Sequence, residues 1–101
     1  MNKLRTMEIK IQLKHPNGKR AISIEKSKYD ALKMALMDCL QSEGGVTHTE
    51  MFQAITKNFD QNNIPFEGSV EWYMQWVKLD LEARKQIKKT GGKSPIKYVV
   101  A

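Results

Sequence analysis

Basic side chains gather at one end of this chain. Residues 84–101 hold Arg84, Lys85, Lys88, Lys89, Lys93 and Lys97 and no acid, while the preceding 83 residues balance eleven basic against eleven acidic side chains. The tail therefore carries the whole net charge of +6. Lys88, Lys89, Thr90 and Lys93 flank the pair Gly91-Gly92. Ammonium groups and a hydroxyl around a pliable tip suit phosphate oxygens, and such contacts position a nucleic acid without reading its sequence.

Other candidate chemistry is sparse. His48-Thr49-Glu50 has the His-x-Glu spacing of zinc deaminases, but the paired cysteines those sites need are absent. Two histidines and one cysteine do not make a metal set. Gly44-Gly45 follows a predicted helix instead of opening one, so it is not a phosphate loop. No Ser-His-Asp arrangement can be built from residues this scattered. The sequence reads as a non-enzyme with no cofactor. Cys39 falls between Leu36 and Leu40 on an apolar stripe, the place of a packed thiol and not of a nucleophile. A lone cysteine permits no intrachain disulfide, which fits a reducing cytoplasm.

The 101 residues are enough for one domain with one core. Hydrophobic content of 41% and charged content of 28% are ordinary for a globular protein. No apolar run approaches the roughly 20 residues of a membrane span, and the N-terminus lacks the apolar stretch of a secretory signal. A cytoplasmic protein without a membrane partner is expected. The charge is layered: residues 1–28 are net +6, residues 29–83 net −6 and residues 84–101 net +6. Such layering favours an anionic partner at the basic ends, or a second copy meeting head to tail. Lysines that keep sheet edges from pairing with other chains would give the same pattern.

The elements that must position these residues are a hairpin, three helices and a second hairpin. Glu8 to Lys14 alternates, with Ile9, Ile11 and Leu13 on one face, and predicts a half-buried strand. Asn17-Gly18 signals a two-residue turn. That turn pairs Leu13 with Ile22, Ile11 with Ile24 and Lys10 with Glu25, placing apolar against apolar and charge against counter-charge. A longer loop starting at Pro16 is the alternative. Ser27 is placed as the cap of a helix from Lys28 to about Ser42, buried through Tyr29, Leu32, Ala35, Leu36, Cys39 and Leu40. Thr47-His48-Thr49-Glu50 is a capping box, with Val46 and Met51 as its hydrophobic staple. The helix it opens runs to about Asn58 or Phe59. Ser69 caps a third helix from Val70 to about Arg84. This helix has a core stripe of Val70, Tyr73, Met74, Val77 and Leu81. A second apolar stripe of Trp72, Trp76, Leu79 and Ala83 lies nearly opposite, with a polar strip of Glu71, Gln75, Lys78 and Glu82 between the two. A helix apolar on two sides is covered on two sides. The cover is either the N-terminal hairpin or a second subunit, and in the latter case Trp72, Trp76 and Leu79 form the interface. In the last hairpin, Gly91-Gly92 as the turn pairs Ile87 with Ile96.

The resulting layout is α+β, with hairpins at 8–24 and 86–100 around three helices at 28–85. Helix, capped helix, helix and basic hairpin resemble the winged-helix superfamily, whose second and third helices form a helix-turn-helix and whose terminal hairpin is the wing. Gly45-Val46-Thr47 is similar to the short strand that precedes the second helix in that superfamily, and Lys97-Tyr98-Val99-Val100 to its closing strand. The run Gly68-Ser69-Val70-Glu71-Trp72-Tyr73, with Val77-Lys78-Leu79-Asp80-Leu81-Glu82-Ala83-Arg84, more closely resembles an uncharacterised family of small bacterial proteins of this architecture.

The superfamily resemblance implies DNA binding, with the third helix in the major groove and the wing on the flanking backbone. Gln75 would then read adenine and Lys78 guanine or a phosphate. Glu71 and Glu82 make that strip a poor reader, so Lys88, Lys89, Thr90 and Lys93 are expected to carry the contact. The alternative is a winged-helix module for dimerisation or partner docking through the tryptophan stripe.

Overall fold

Alternation in the first segment yields the expected pairing. The computed structural model describes residues 9–41, 44–90 and 94–101. In it β1 (Lys10–Gln12) and β2 (Ser23–Glu25) pair antiparallel, Lys10 opposite Glu25 and Ile11 opposite Ile24. Leu13 N–H continues the register by donating to Ile22 O at 3.0 Å. The turn itself is the longer alternative. Gly18 N–H donates to His15 O at 2.9 Å, so Pro16 and Asn17 are the central residues. Gly18 alone takes a positive φ there, +75°. Proline supplies the φ of the first central position, and a two-residue turn at Asn17-Gly18 would have needed positive φ at both.

Three helices form the middle of the chain: α1 (Lys26–Cys39), α2 (His48–Gln61) and α3 (Val70–Ala83). α1 starts two residues earlier than Ser27 suggests. Its N-cap is Glu25, which makes no side-chain cap bond, because β2 runs directly into the helix. Its helical residues end at Cys39, well short of Gly44, and the expected end at Ser42 lies outside the described residues. α2 opens on the complete capping box: Thr47 Oγ1 accepts from Glu50 N–H at 3.1 Å and Glu50 Oε1 accepts from Thr47 N–H at 2.9 Å. Ser69 caps α3 by accepting from Trp72 N–H at 3.1 Å. Both α2 and α3 end in Schellman turns without glycine. Asn63 and Lys85 take the left-handed position, and the next N–H groups, of Ile64 and Gln86, reach back to Phe59 O and Leu81 O at 2.9 Å each.

The chain ends in β4 (Ile87–Thr90) and β5 (Lys97–Val100), which join β3 (Val46–Thr47) in an antiparallel sheet of order β3-β5-β4. The register corrects the sequence expectation. Ile87 lies opposite Val100, not Ile96, and Thr90 opposite Lys97. The connection is therefore longer than Gly91-Gly92, which lies outside the described residues. Its far limb includes Ser94-Pro95, and a proline has no N–H to give a ladder. The shift is an even number of residues, so each side chain keeps its face. Gly45 (φ +87°) brings β3 against β5: a Cβ there would stand 3.0 Å from Lys97 Cβ.

The core lies among the helices, with Leu32, Leu36, Met51, Ile55, Met74, Val77 and Leu81 shielded from solvent. Leu13 and Ile24 join it from the hairpin, Ile87 and Tyr98 from the sheet. The hairpin packs mainly on α1. No described helix is long and apolar enough to cross a membrane.

Candidate nucleic-acid interface

The sheet sorts the tail's basic residues by face. Strand alternation and the observed register place Lys88, Thr90, Lys97 and Val99 on one face, with Thr47 beside Lys97. Ile87 and Tyr98 lie buried on the other face, against the helices, and Lys89 shares that face but is exposed. Lys88 and Lys89 are thus not partners in one contact. Lys88 is exposed on the outer face. Lys89 reaches Glu82 of α3, Nζ to Oε2 3.9 Å. Thr90 turns its hydroxyl to Lys97 O at 3.4 Å. Lys93 lies outside the described residues. Lys97 stands diagonal to Lys88 and was not among the expected site residues. The period-two pattern of a strand would have revealed it, had the register been known. Glu50, whose carboxyl the Thr47 N–H holds below its ordinary range, is lowered further by Lys97.

The polar strip of α3 is not the exposed row that its sequence suggests. Gln75 is exposed, and Glu71 is exposed beside it. Lys78 is only 4% exposed. Its spacing explains this: four residues after Met74 and three before Leu81, it stands on the edge of the core stripe. Tyr98 and His48 then cover it. Lys78 Nζ lies 4.6 Å from the Tyr98 ring centroid and donates to His48 Nδ1 at 3.1 Å. An ammonium has no lone pair, so Nδ1 must accept and the ring proton sits on Nε2. That N–H donates to Glu71 Oε2 at 3.1 Å. Burial pushes the Lys78 ammonium below its usual pKa, Glu82 opposes this, and Lys89 adds to it. Lys78 is therefore withdrawn from any ligand, and α3 has no other basic side chain.

The second apolar stripe is partly open. Trp72 is 50% exposed, so the N-terminal hairpin does not cover it. Trp76 and Leu79 are half-buried, and Trp76 packs against the core. Trp72 makes edge-to-face contacts with Tyr73 (centroids 5.0 Å) and Trp76 (6.2 Å). His48, Ser69, Glu71, Trp72 and Gln75 together line a shallow recess.

Asp80 went unnoticed in the sequence because a carboxylate is not expected in a core. It is fully buried and accepts from Tyr29 Oη at 2.7 Å, Lys14 N–H at 2.8 Å and Arg84 Nε at 2.9 Å. Arg84 is consequently committed to the fold, and its guanidinium is not spare charge. Cys39 has its thiol pushed up to about 11, first by burial and then by Asp38, the opposite of activation. No cluster of three metal-ligating side chains occurs among the described residues.

Fold and site together define a small α+β protein in which three helices lie between a terminal hairpin and a three-stranded sheet with lysines on its outer face. Over residues 10–98 the chain matches a family of unknown function (DUF6958), and it belongs to that family. No curated protein and no solved structure matches it.

Proposed function

We propose that the chain is a winged-helix protein that binds nucleic acid through phosphate contacts from its β4–β5 wing. The observation that carries this reading is the outer face of the sheet, where Lys88 and Lys97 stand diagonal to each other and Lys97 is flanked by Thr47 and Thr90. Two ammonium groups, with the Thr47 hydroxyl proton still free to donate, match phosphate oxygens, whereas the Thr90 hydroxyl is turned to Lys97 O. The three helices and the β3-β5-β4 order support the winged-helix assignment. Lys89 and Arg84 are engaged by Glu82 and Asp80, and Glu50 offsets part of the charge of Lys97, which leaves Lys88 as the principal contact, joined by Lys93. With Lys78 buried, α3 contributes no cation, so binding is weakly selective for sequence.

The test is titration of a labelled DNA at several salt concentrations. Replacing Lys88, Lys93 and Lys97 together by Ala should flatten the log–log salt dependence by about two to three units. An unchanged slope rejects the wing as the contact.

A second reading, a docking module for a protein partner or a second copy, is favoured by the half-exposed Trp72. Sedimentation at varied concentration, with and without Trp72→Ala, tests the self-association branch of it.

A further inference from the structure

Trp72 is both exposed and held. Edge-to-face packing on Tyr73 and Trp76 fixes its ring, and Tyr73 in turn packs edge-on against Phe66, which stacks on Phe59 in the core. An aromatic chain thus leads from the core to a half-exposed indole at the surface. We propose that the nucleic acid is single-stranded, with an unpaired base stacked on Trp72 and its backbone running over the outer face of the sheet. This rests on the phosphate-contact reading above and names its ligand class.

Three observations favour an unpaired strand. A duplex offers a helix in its major groove base edges and phosphates, but the surface of α3 holds Glu71, Trp72, Gln75 and Glu82, and its one lysine is buried. An indole has little to gain from base edges. It gains from a base's π face, which is accessible when the base is unstacked from its neighbours. The second observation is continuity. Lys97 pairs with Thr47, His48 follows directly, and His48 lines the same recess as Trp72 and Gln75. The sheet face and the recess thus adjoin at the junction of β3 and α2, Thr47-His48. The third is the polar rim. The Gln75 amide offers both a donor and an acceptor to a base edge beside the ring, while Glu71, held by His48, repels phosphate and keeps the backbone on the sheet side.

The experiment measures anisotropy of labelled oligo(dT), oligo(U) and a duplex, each about 15 nucleotides long, with the full chain at low salt. The single strands should bind roughly tenfold tighter than the duplex, and Trp72→Ala should remove about that factor from single-strand binding alone. Trp72→Phe, which keeps a π face, should retain most of the affinity while losing most of the fluorescence quenching. Unaltered melting of Trp72→Phe shows that the comparison is made on a folded protein even if the alanine variant is unstable. A preference for either dT or U supports the proposal and tells DNA from RNA. Equal or tighter duplex binding, indifferent to Trp72, overturns the proposal and leaves the phosphate contact standing. Absence of binding to all three ligands overturns both.

Discussion

Tyr29 on α1 donates its hydroxyl to Asp80 on α3 at 2.7 Å, at a carboxylate that solvent does not reach. Asp80 also takes the N–H of Lys14 and the guanidinium of Arg84, which itself reaches Gln12 O at 3.4 Å. One carboxylate thus joins the first helix, the N-terminal hairpin and the end of the third helix. A buried charge persists only when its lone pairs are satisfied, and here three donors satisfy them.

Asp80→Ala should lower the unfolding free energy by about 3 kcal/mol, since it strands the buried Tyr29 hydroxyl and removes the partner of Arg84 and of the Lys14 N–H. Asp80→Asn keeps one acceptor and should fall between. A urea midpoint for Asp80→Ala equal to that of the native protein would contradict the role.

The same bond makes a prediction in alkali. Burial first, and the hydrogen bond to Asp80 second, push Tyr29 from 10.0 up to about 12. Between these values the unfolded chain loses the proton while the folded one keeps it. The contribution is therefore fully present below pH about 10 and is lost as pH rises to about 12. Stability of Tyr29→Phe measured against pH should be lower near neutrality by about 1 kcal/mol and should decline less steeply across that window. Parallel curves for the two proteins would argue against the bond.

The sequence exposed those parts of the fold whose signals are local. The capping box at Thr47, the alternation of β1 and the pairing of Ile11 with Ile24 each follow from a few neighbouring residues. Helix ends were harder: Lys85 and Asn63 close α3 and α2 in a conformation where glycine is the usual signal. The wing register was lost because Gly91-Gly92 marks a turn more strongly than it sets the length of one. The site is not legible in the sequence where burial depends on other elements. Lys78 looks solvent-facing until Tyr98 and His48, both distant in sequence, are placed over it. Asp80 looks like a surface acid until Tyr29 and Lys14 meet it.

Thr47→Ala should cost about 0.5–2 kcal/mol, the value of an N-cap. It removes the acceptor for Glu50 N–H, at the residue where β3 passes into α2. Thr47→Ser retains the oxygen and should restore most of the loss. A midpoint unmoved in the alanine variant would place the helix start elsewhere.

Lys78 separates a structural lysine from a ligand-binding one. Its stem packs in the core while its ammonium meets the Tyr98 ring and His48 Nδ1. Lys78→Met preserves the stem and deletes the buried charge. Such replacements are commonly neutral or stabilising, and His48, a third exposed, can accept from water instead. Stability should be unchanged or higher by about 1 kcal/mol, whereas Lys78→Ala, which also empties the stem's volume, should lose about 2 kcal/mol or more. The pH dependence has a definite sign. Burial lowers the folded-state pKa of Lys78, so as pH rises toward about 10.4 the folded chain releases this proton before the unfolded one. That release favours folding in the native protein and is absent from Lys78→Met. The gain of Lys78→Met over the native protein should therefore shrink as pH rises through this window. Because the ammonium is turned inward, Lys78→Met should leave nucleic-acid affinity and its salt slope as they are in the native protein. A slope reduced by about one unit would place Lys78 on a phosphate after all.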